Sequence, residues 1–252
     1  MTLDFDELSA PADWQRIDFL SDLHLSAETP ATLAALRAHL DETRADAVFL
    51  LGDIFEVWVG DDARFEPFQA GCVAMLREAS TRRPLYFMAG NRDFLVGPAM
   101  LADCGIQGLS DPTVLNAFGQ RWLLSHGDAL CLEDKPYQAF RAQVRSPAWQ
   151  TEFLARPLAE RQAMARQMRA ASQANQSKQE LWADLDAAAC IDWLQASACT
   201  DLIHGHTHRP GEHSLARALR RHVLSDWDFE AVPPRGDVLR LRRTGLRRID
   251  LA

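Results

Sequence analysis

No stretch of this chain reaches the ~18–20 consecutive uncharged residues that a bilayer-spanning helix requires, because the best candidate, Ala47 to Gly60, is interrupted by Asp53 and Glu56. A transmembrane helix is not expected. Cysteine is scarce and scattered: the five residues, Cys72, Cys104, Cys131, Cys190 and Cys199, are odd in number and nowhere closer than nine positions apart. That spacing suggests neither a disulfide framework nor a Cys-x-x-Cys zinc site. Basic residues are missing from the first seven positions, which carry Asp4, Asp6 and Glu7, the reverse of a secretory leader. The expected compartment is the reducing cytoplasm. Internal repeats and low-complexity linkers are also absent.

What is present is ordinary globular material: 252 residues, 47% apolar and 25% charged, enough to bury a large core without staples. The net charge of −8 opposes bulk nucleic-acid binding, so no nucleic-acid partner is expected. The charge is uneven, with eight Lys/Arg against five Asp/Glu from Cys131 to Glu180, and nine Arg against five acids from Ser214 to Asp250. These segments are either solvated faces or contacts for an anionic partner.

Apolar runs and punctuation predict a strand over Arg16–Ser21, a helix capped by Thr29 with Pro30 in its first turn and a Leu33, Leu36, Leu40 stripe, and a strand over Ala47–Leu51. A helix opening at Pro67 and a strand over Pro84–Met88 follow. This alternation predicts a parallel sheet. Thr113–Ala117 and Arg121–Ser125 then flank Phe-Gly-Gln in the manner of a hairpin. From Ala139 to Met168 the composition turns helical, broken by Pro147 and Pro157 into at least two helices. In the second of these Leu158, Met164, Ala165 and Met168 share one arc with Arg161 in its middle. Such a helix is either a lid or a core-packed helix with Arg161 snorkelling. A helix over Glu180–Ala198, a strand over Asp201–His204 and a strand-rich tail with Arg-x-Arg runs complete the chain. A single domain over 1–252 with a helical insertion at about 135–180 fits better than two domains.

The chemistry lies at the ends of these elements. Asp22-x-His24, Gly52-Asp53, Gly90-Asn91-Arg92-Asp93, His126-Gly127-Asp128 and Gly205-His206-x-His208 each place residues of metal-ligand type after a strand-like run. In an extended strand end, residues i and i+2 point the same way, so Asp22 with His24, and His206 with His208, are expected to converge. Three carboxylate or amide groups and four imidazoles suffice for two metals sharing one carboxylate. Oxygen and nitrogen donors without thiolate suit Mn²⁺, Fe or Zn²⁺ and disfavour calcium. His204 is read as a core or supporting residue, Asp93 and Asp128 as groups that orient a neighbouring ligand, and Phe55 and Trp58 as either packing or site lining.

The ordered set of five motifs, from Asp22 to His208, resembles the calcineurin-like metallophosphoesterase superfamily. Ser21-Asp-Leu-His-Leu25, the Gly52 to Asp62 loop, Gly90-Asn-Arg-Asp-Phe94 and His204-Gly-His-Thr-His-Arg-Pro210 resemble its branch acting on UDP-2,3-diacylglucosamine in the lipid A pathway of Gram-negative bacteria. The resemblance implies an α/β fold, a four-layer α/β/β/α sandwich with a helical lid. It implies two Mn²⁺ ions, one held by Asp22, His24, Asp53 and His208, the other by Asp53, Asn91, His126 and His206, with Asp53 as the bridge. It also implies hydrolysis to UMP and 2,3-diacylglucosamine 1-phosphate by water activated at the two metals and attacking the nucleotide-side phosphorus. Asp53, Asn91, Arg92 and His126 would carry catalysis. Where many superfamily members have His after the Asn, this chain has Arg92, whose fixed fork suits two phosphoryl oxygens and cannot act as an acid at pH 7; a surface ion pair is the alternative. Asn91, Arg92, Asp134, Ser172, Asn175, Lys178 and His206 are the implied substrate contacts, although the branch can have Ser four residues before the Asn and Ala171 stands there, beside Ser172. A glycolipid nucleotide substrate implies peripheral attachment at the cytoplasmic face of the inner membrane, with no protein partner expected. A phosphodiesterase or phosphomonoesterase acting on a soluble nucleotide is the alternative activity, and a non-catalytic scaffold, as the superfamily's retromer subunit, would show eroded ligands.

Overall fold

The computed structural model describes residues 5–176 and 184–252, with the side chains of 170–176 left out of account. Two six-stranded mixed sheets form its centre, in the orders β1-β6-β7-β8-β10-β9 and β12-β11-β2-β3-β4-β5. The second sheet is built by alternation: β2 (Ile17–Leu20), α1 (Pro30–Glu42), β3 (Ala47–Leu51), α2 (Pro67–Ser80), β4 (Leu85–Met88), α3 (Pro98–Cys104) and β5 (Gln107–Leu109). These four strands pair in parallel, as the crossover helices require. The chain then enters the first sheet through β6 (Thr113–Ala117) and β7 (Gln120–Ser125), joined by Phe118-Gly119, both at positive φ. Gln120 pairs with Ala117, so the turn has two residues where three are expected.

Three helices, α4 (Lys135–Val144), α5 (Pro147–Leu154) and α6 (Leu158–Gln176), stand between β7 and β8. The helix expected from Glu180 begins only at Ala187, where the Asp186 carboxylate accepts from Ala189 N–H and caps α7 (Ala187–Ala196). Part of the expected span lies outside the described residues. Then β8 (Asp201–His204), β9 (Gly211–Ala216) and β10 (Leu219–Val223) complete the first sheet, and β11 (Asp237–Arg242) and β12 (Gly245–Asp250) return to the second. An unexpected strand, β1 (Asp6–Ser9), pairs in parallel with β6.

Three apolar layers hold this together. Between the sheets lie Phe19, Phe49, Leu51, Tyr86, Leu124 and Ile203, with Phe49 stacked on Tyr86 at 4.4 Å. Burial of each such side chain is worth roughly 1.5–3 kcal/mol. Outside the second sheet, Leu36, Leu40, Leu76 and Met100 cover Val48, Leu50 and Phe87; outside the first, Cys190 and Leu194 cover Leu123 and Leu202. The layers therefore run helix, sheet, sheet, helix. Thr29 precedes α1 as expected, but its hydroxyl contacts Ser26 and makes no cap hydrogen bond. Phe55 and Trp58 are fully packed, 4.7 Å apart.

Candidate metal centre

All seven side chains expected as ligands meet where the carboxyl ends of β2, β3, β4, β7 and β8 come together. One sheet supplies Asp22, His24, Asp53 and Asn91, and the other supplies His126, His206 and His208. The expected extended geometry is not what brings them together. Asp22, His24, Asp53, His206 and His208 lie at φ 56°, 50°, 55°, 69° and 52°, in the left-handed region that L-residues other than Asn and Asp avoid. This backbone also sends His206 and His208 to different partners. His208 Nε2 lies 3.3 Å from His24 Nε2 and 3.4 Å from Asp22, whereas His206 Nδ1 lies 2.8 Å from Asn91 Oδ1.

Glycine makes the crowding possible. A Cβ on Gly52, itself at φ +89°, would stand 2.5 Å from His126 Nδ1, and one on Gly90 would stand 2.1 Å from Asp53 Oδ1. Asp93 ties the same loops from beneath, accepting from Gly90 N–H and Ile54 N–H, each at 2.8 Å. Burial, with the neighbouring Asp53 charge, raises its carboxyl to about 6. Asp128 accepts from the Tyr137 hydroxyl at 2.6 Å and from Arg141 at 2.8 Å, and the Tyr137 ring lies 5.9 Å from that of His206. Asp93 thus ties the loops that carry Asp53 and Asn91, whereas the side-chain partners of Asp128 are Tyr137 and Arg141 rather than a candidate ligand. His204 is fully buried, with Nδ1 on the Gly205 carbonyl, and burial lowers its imidazole to about 3.

The donor set fits divalent cations. His126 Nδ1 lies 3.0 Å from the Leu51 carbonyl, and its Nε2 faces Asn91 Oδ1 at 3.0 Å and Asp53 at 3.7 Å. His24 Nδ1 faces Glu56 at 3.2 Å and His208 Nδ1 faces Asp226 at 3.8 Å, leaving their Nε2 atoms to confront one another. Two groups have ligand atoms within 4.8 Å of one another: Asp22, His24 and His208, and Asp22, Asp53 and His126. Burial would depress the His126 imidazolium, but the Asp53, Asp22 and Asp128 carboxylates outweigh it and lift it to about 9. Burial and the His126 charge push His206 down to about 4.

The remaining expected residues are placed differently. Arg92 donates its backbone N–H to Asp53 Oδ1 at 2.8 Å, and its buried Nε has no partner among the described residues. The Asp134 carboxylate caps α4 by accepting from Tyr137 N–H. Ser172 and Asn175 lie on α6, but their side chains, like Lys178 as a whole, fall outside the described residues. Asp226, Tyr137 and Arg141 were not legible as site residues, because each comes from a loop or helix without a motif of its own, and Glu56, although inside the Gly52 to Asp62 motif, carried no spacing that set it beside His24.

Comparison with known proteins gives a consistent result. The calcineurin-like phosphoesterase family profile matches residues 15–210. The UDP-2,3-diacylglucosamine hydrolase of Chromobacterium violaceum is 46% identical over 244 residues, covering 93% of this chain and 98% of that protein. The enzyme of the same name from Xanthomonas campestris pv. campestris is 44% identical over 250 residues, covering 93% and 98%.

Proposed function

The chain belongs to the calcineurin-like phosphoesterase family, a family of dinuclear metal-dependent hydrolases, and from that membership we propose the following account of its activity. It hydrolyses UDP-2,3-diacylglucosamine, a step of lipid A synthesis, giving UMP and 2,3-diacylglucosamine 1-phosphate. The observation that carries this is the meeting of seven oxygen and nitrogen donors at one end of the sandwich, in a chain matched along nearly its whole length by hydrolases of that substrate.

Asp22, His24, Asp53 and His208 would hold one ion, and Asp53, Asn91, His126 and His206 the other. Asp22 touches both groups, but it already accepts from Ser21 Oγ and from His206 N–H through both oxygens. Asp53 accepts from Arg92 N–H and keeps more of its lone pairs for two ions, which favours it as the bridge. When bound, the ions supply Lewis-acid chemistry: they activate water and neutralise charge on the phosphoryl group. The imidazole donor set favours Mn²⁺ over Mg²⁺. Arg92, always cationic, sits beside Asp53 to pair with the diphosphate, and Asn91 and His206 orient it. Asp134, Ser172, Asn175 and Lys178 would add further substrate contacts, as the family resemblance implies.

Helices α4 to α6 act as the lid over the acyl chains. Of the exposed large apolar side chains among the described residues, Leu132, Phe140, Leu154 and Met168 belong to this insertion or its entry, and Val57 and Phe65 to the loop beneath it. No described helix is long and apolar enough to cross a membrane. Exposed apolar side chains of this kind suit peripheral attachment to the cytoplasmic face of the inner membrane, where the substrate resides.

The test is hydrolysis followed by ³¹P NMR in ¹⁸O-water, on protein stripped with chelator and reloaded. Mn²⁺ should restore cleavage of the lipid substrate far better than Mg²⁺, with the ¹⁸O label in UMP. Equal rates on UDP-glucose, or full activity after prolonged chelation, would overturn the reading.

A further inference from the structure

A diphosphate substrate has two ends, and the metal centre has two flanks. On one flank, His24 faces Glu56, and Arg169 of α6 reaches the same Glu56 carboxylate. The insertion therefore borders the centre on the His24 side. On the other flank, His208 faces Asp226, and beyond it opens a cavity of about 1080 Å³. His208 forms part of its wall, together with Thr207, Pro210, Pro234, Arg235 and Arg248. Among the described residues, none of α4, α5 or α6 lines it.

The character of this cavity is wrong for acyl chains. Its lining includes arginines and the Asp226, Asp237 and Asp250 carboxylates, and hydrocarbon against the Arg235–Asp226 and Arg248–Asp237 pairs would take them out of water while adding no polar partner. It suits a flat polar heterocycle on a ribose. Prolines give a rigid surface for a ring face, and half-exposed Arg235 supplies donors, anchored by Asp226 at 2.9 Å. Two features point to a ligand. Thr207, only 5% exposed, carries an Oγ1 without a hydrogen-bond partner, although it lies between two ligand residues and on the cavity wall. Arg235, tied to Asp226 and through it to His208, links the cavity to the metal centre. Resting on the activity proposed above, we propose that this cavity is the nucleoside subsite, which receives the uridine of the substrate and holds UMP as the leaving product. The substrate then lies across the centre, acyl chains under α6 and uridine between Thr207 and Arg235.

The proposal is tested with Mn²⁺-loaded full-length protein, using UMP binding followed by NMR and inhibition constants for both products. Thr207→Val and Arg235→Gln should each weaken UMP about 5- to 20-fold, with inhibition by 2,3-diacylglucosamine 1-phosphate changed less than twofold. Pro234→Trp, at an exposed position that the fold does not depend on, should block UMP by filling the cavity. Failure of wild-type protein to bind UMP, UMP affinity unmoved in all three variants, or equal losses for both products would overturn the subsite. Loss of metal content alongside would identify the last case as damage to the centre. The activity itself is judged separately, by whether wild-type protein cleaves the lipid substrate.

Discussion

Holding an L-residue in the left-handed region costs about 1–2 kcal/mol, and five of the seven candidate ligands are held there. At His208, φ 52°, replacement by Gly and by Ala removes the same ring, so backbone preference decides the difference between the two. Metal-free His208→Gly should be about 1 kcal/mol more stable than His208→Ala in urea denaturation, while both lose activity. Equal stabilities would mean that the left-handed backbone there is not strained. At this scale the sequence was informative about identity and silent about geometry. Motifs singled out all seven side chains, and Gly52 and Gly90 stood beside them, yet nothing in Asp-x-His or His-x-His announces a positive φ. Extended pairing was the expected reason for convergence, and a different backbone achieved it.

Among the elements, α6 best separates structural from functional roles. Arg161, 3% exposed, does not snorkel: it donates to the Val59 and Arg156 carbonyls and pairs with Asp62, fastening α6 to the loop after β3. Leu158, Met164 and Ala165 pack on the same body, whereas Met168 remains 36% exposed. The arc that a helical wheel treats as one face is thus divided. Leu158→Ser should lower stability by about 1–2 kcal/mol. Met168→Ser should leave thermal stability within about 0.5 kcal/mol and raise KM for the lipid substrate at least threefold, with a small chromogenic phosphodiester unaffected. Unchanged KM would remove Met168 from the acyl path. Alternation, proline starts and the β6–β7 hairpin were legible because local preference and burial agree there. The edge strands β1 and β5 were not, since both are mostly exposed and carry no apolar alternation. Helix α3, seven residues long, is too short to show a period.

Across the whole molecule, Asp18 joins β2, β11 and α1. It accepts from Arg240 at 2.6 and 2.7 Å and from Thr43 at 2.7 Å, with His39 at 3.3 Å. Burial alone would raise this carboxyl, but hydrogen bonds from Arg240, His39 and Thr43 prevail and lower it to about 2 from 3.8. Because the folded value is depressed, the stabilisation is complete above pH 4 and fades as pH falls toward 2. Wild type should exceed Asp18→Asn by about 2 kcal/mol at pH 7, and the gap should close across that window in denaturant titrations. A gap independent of pH would show that the charge is not what stabilises. The division of candidate ligands between the sheets bears on how the protein comes into being. Asp22, Asp53 and Asn91 leave the ribosome early, His206 and His208 only after most of the chain, and the sheet begun by β2 closes last, with β11 and β12. A nascent chain stalled before β8 would carry only five of the seven candidate ligands, so the full set is assembled only once the chain has passed His208.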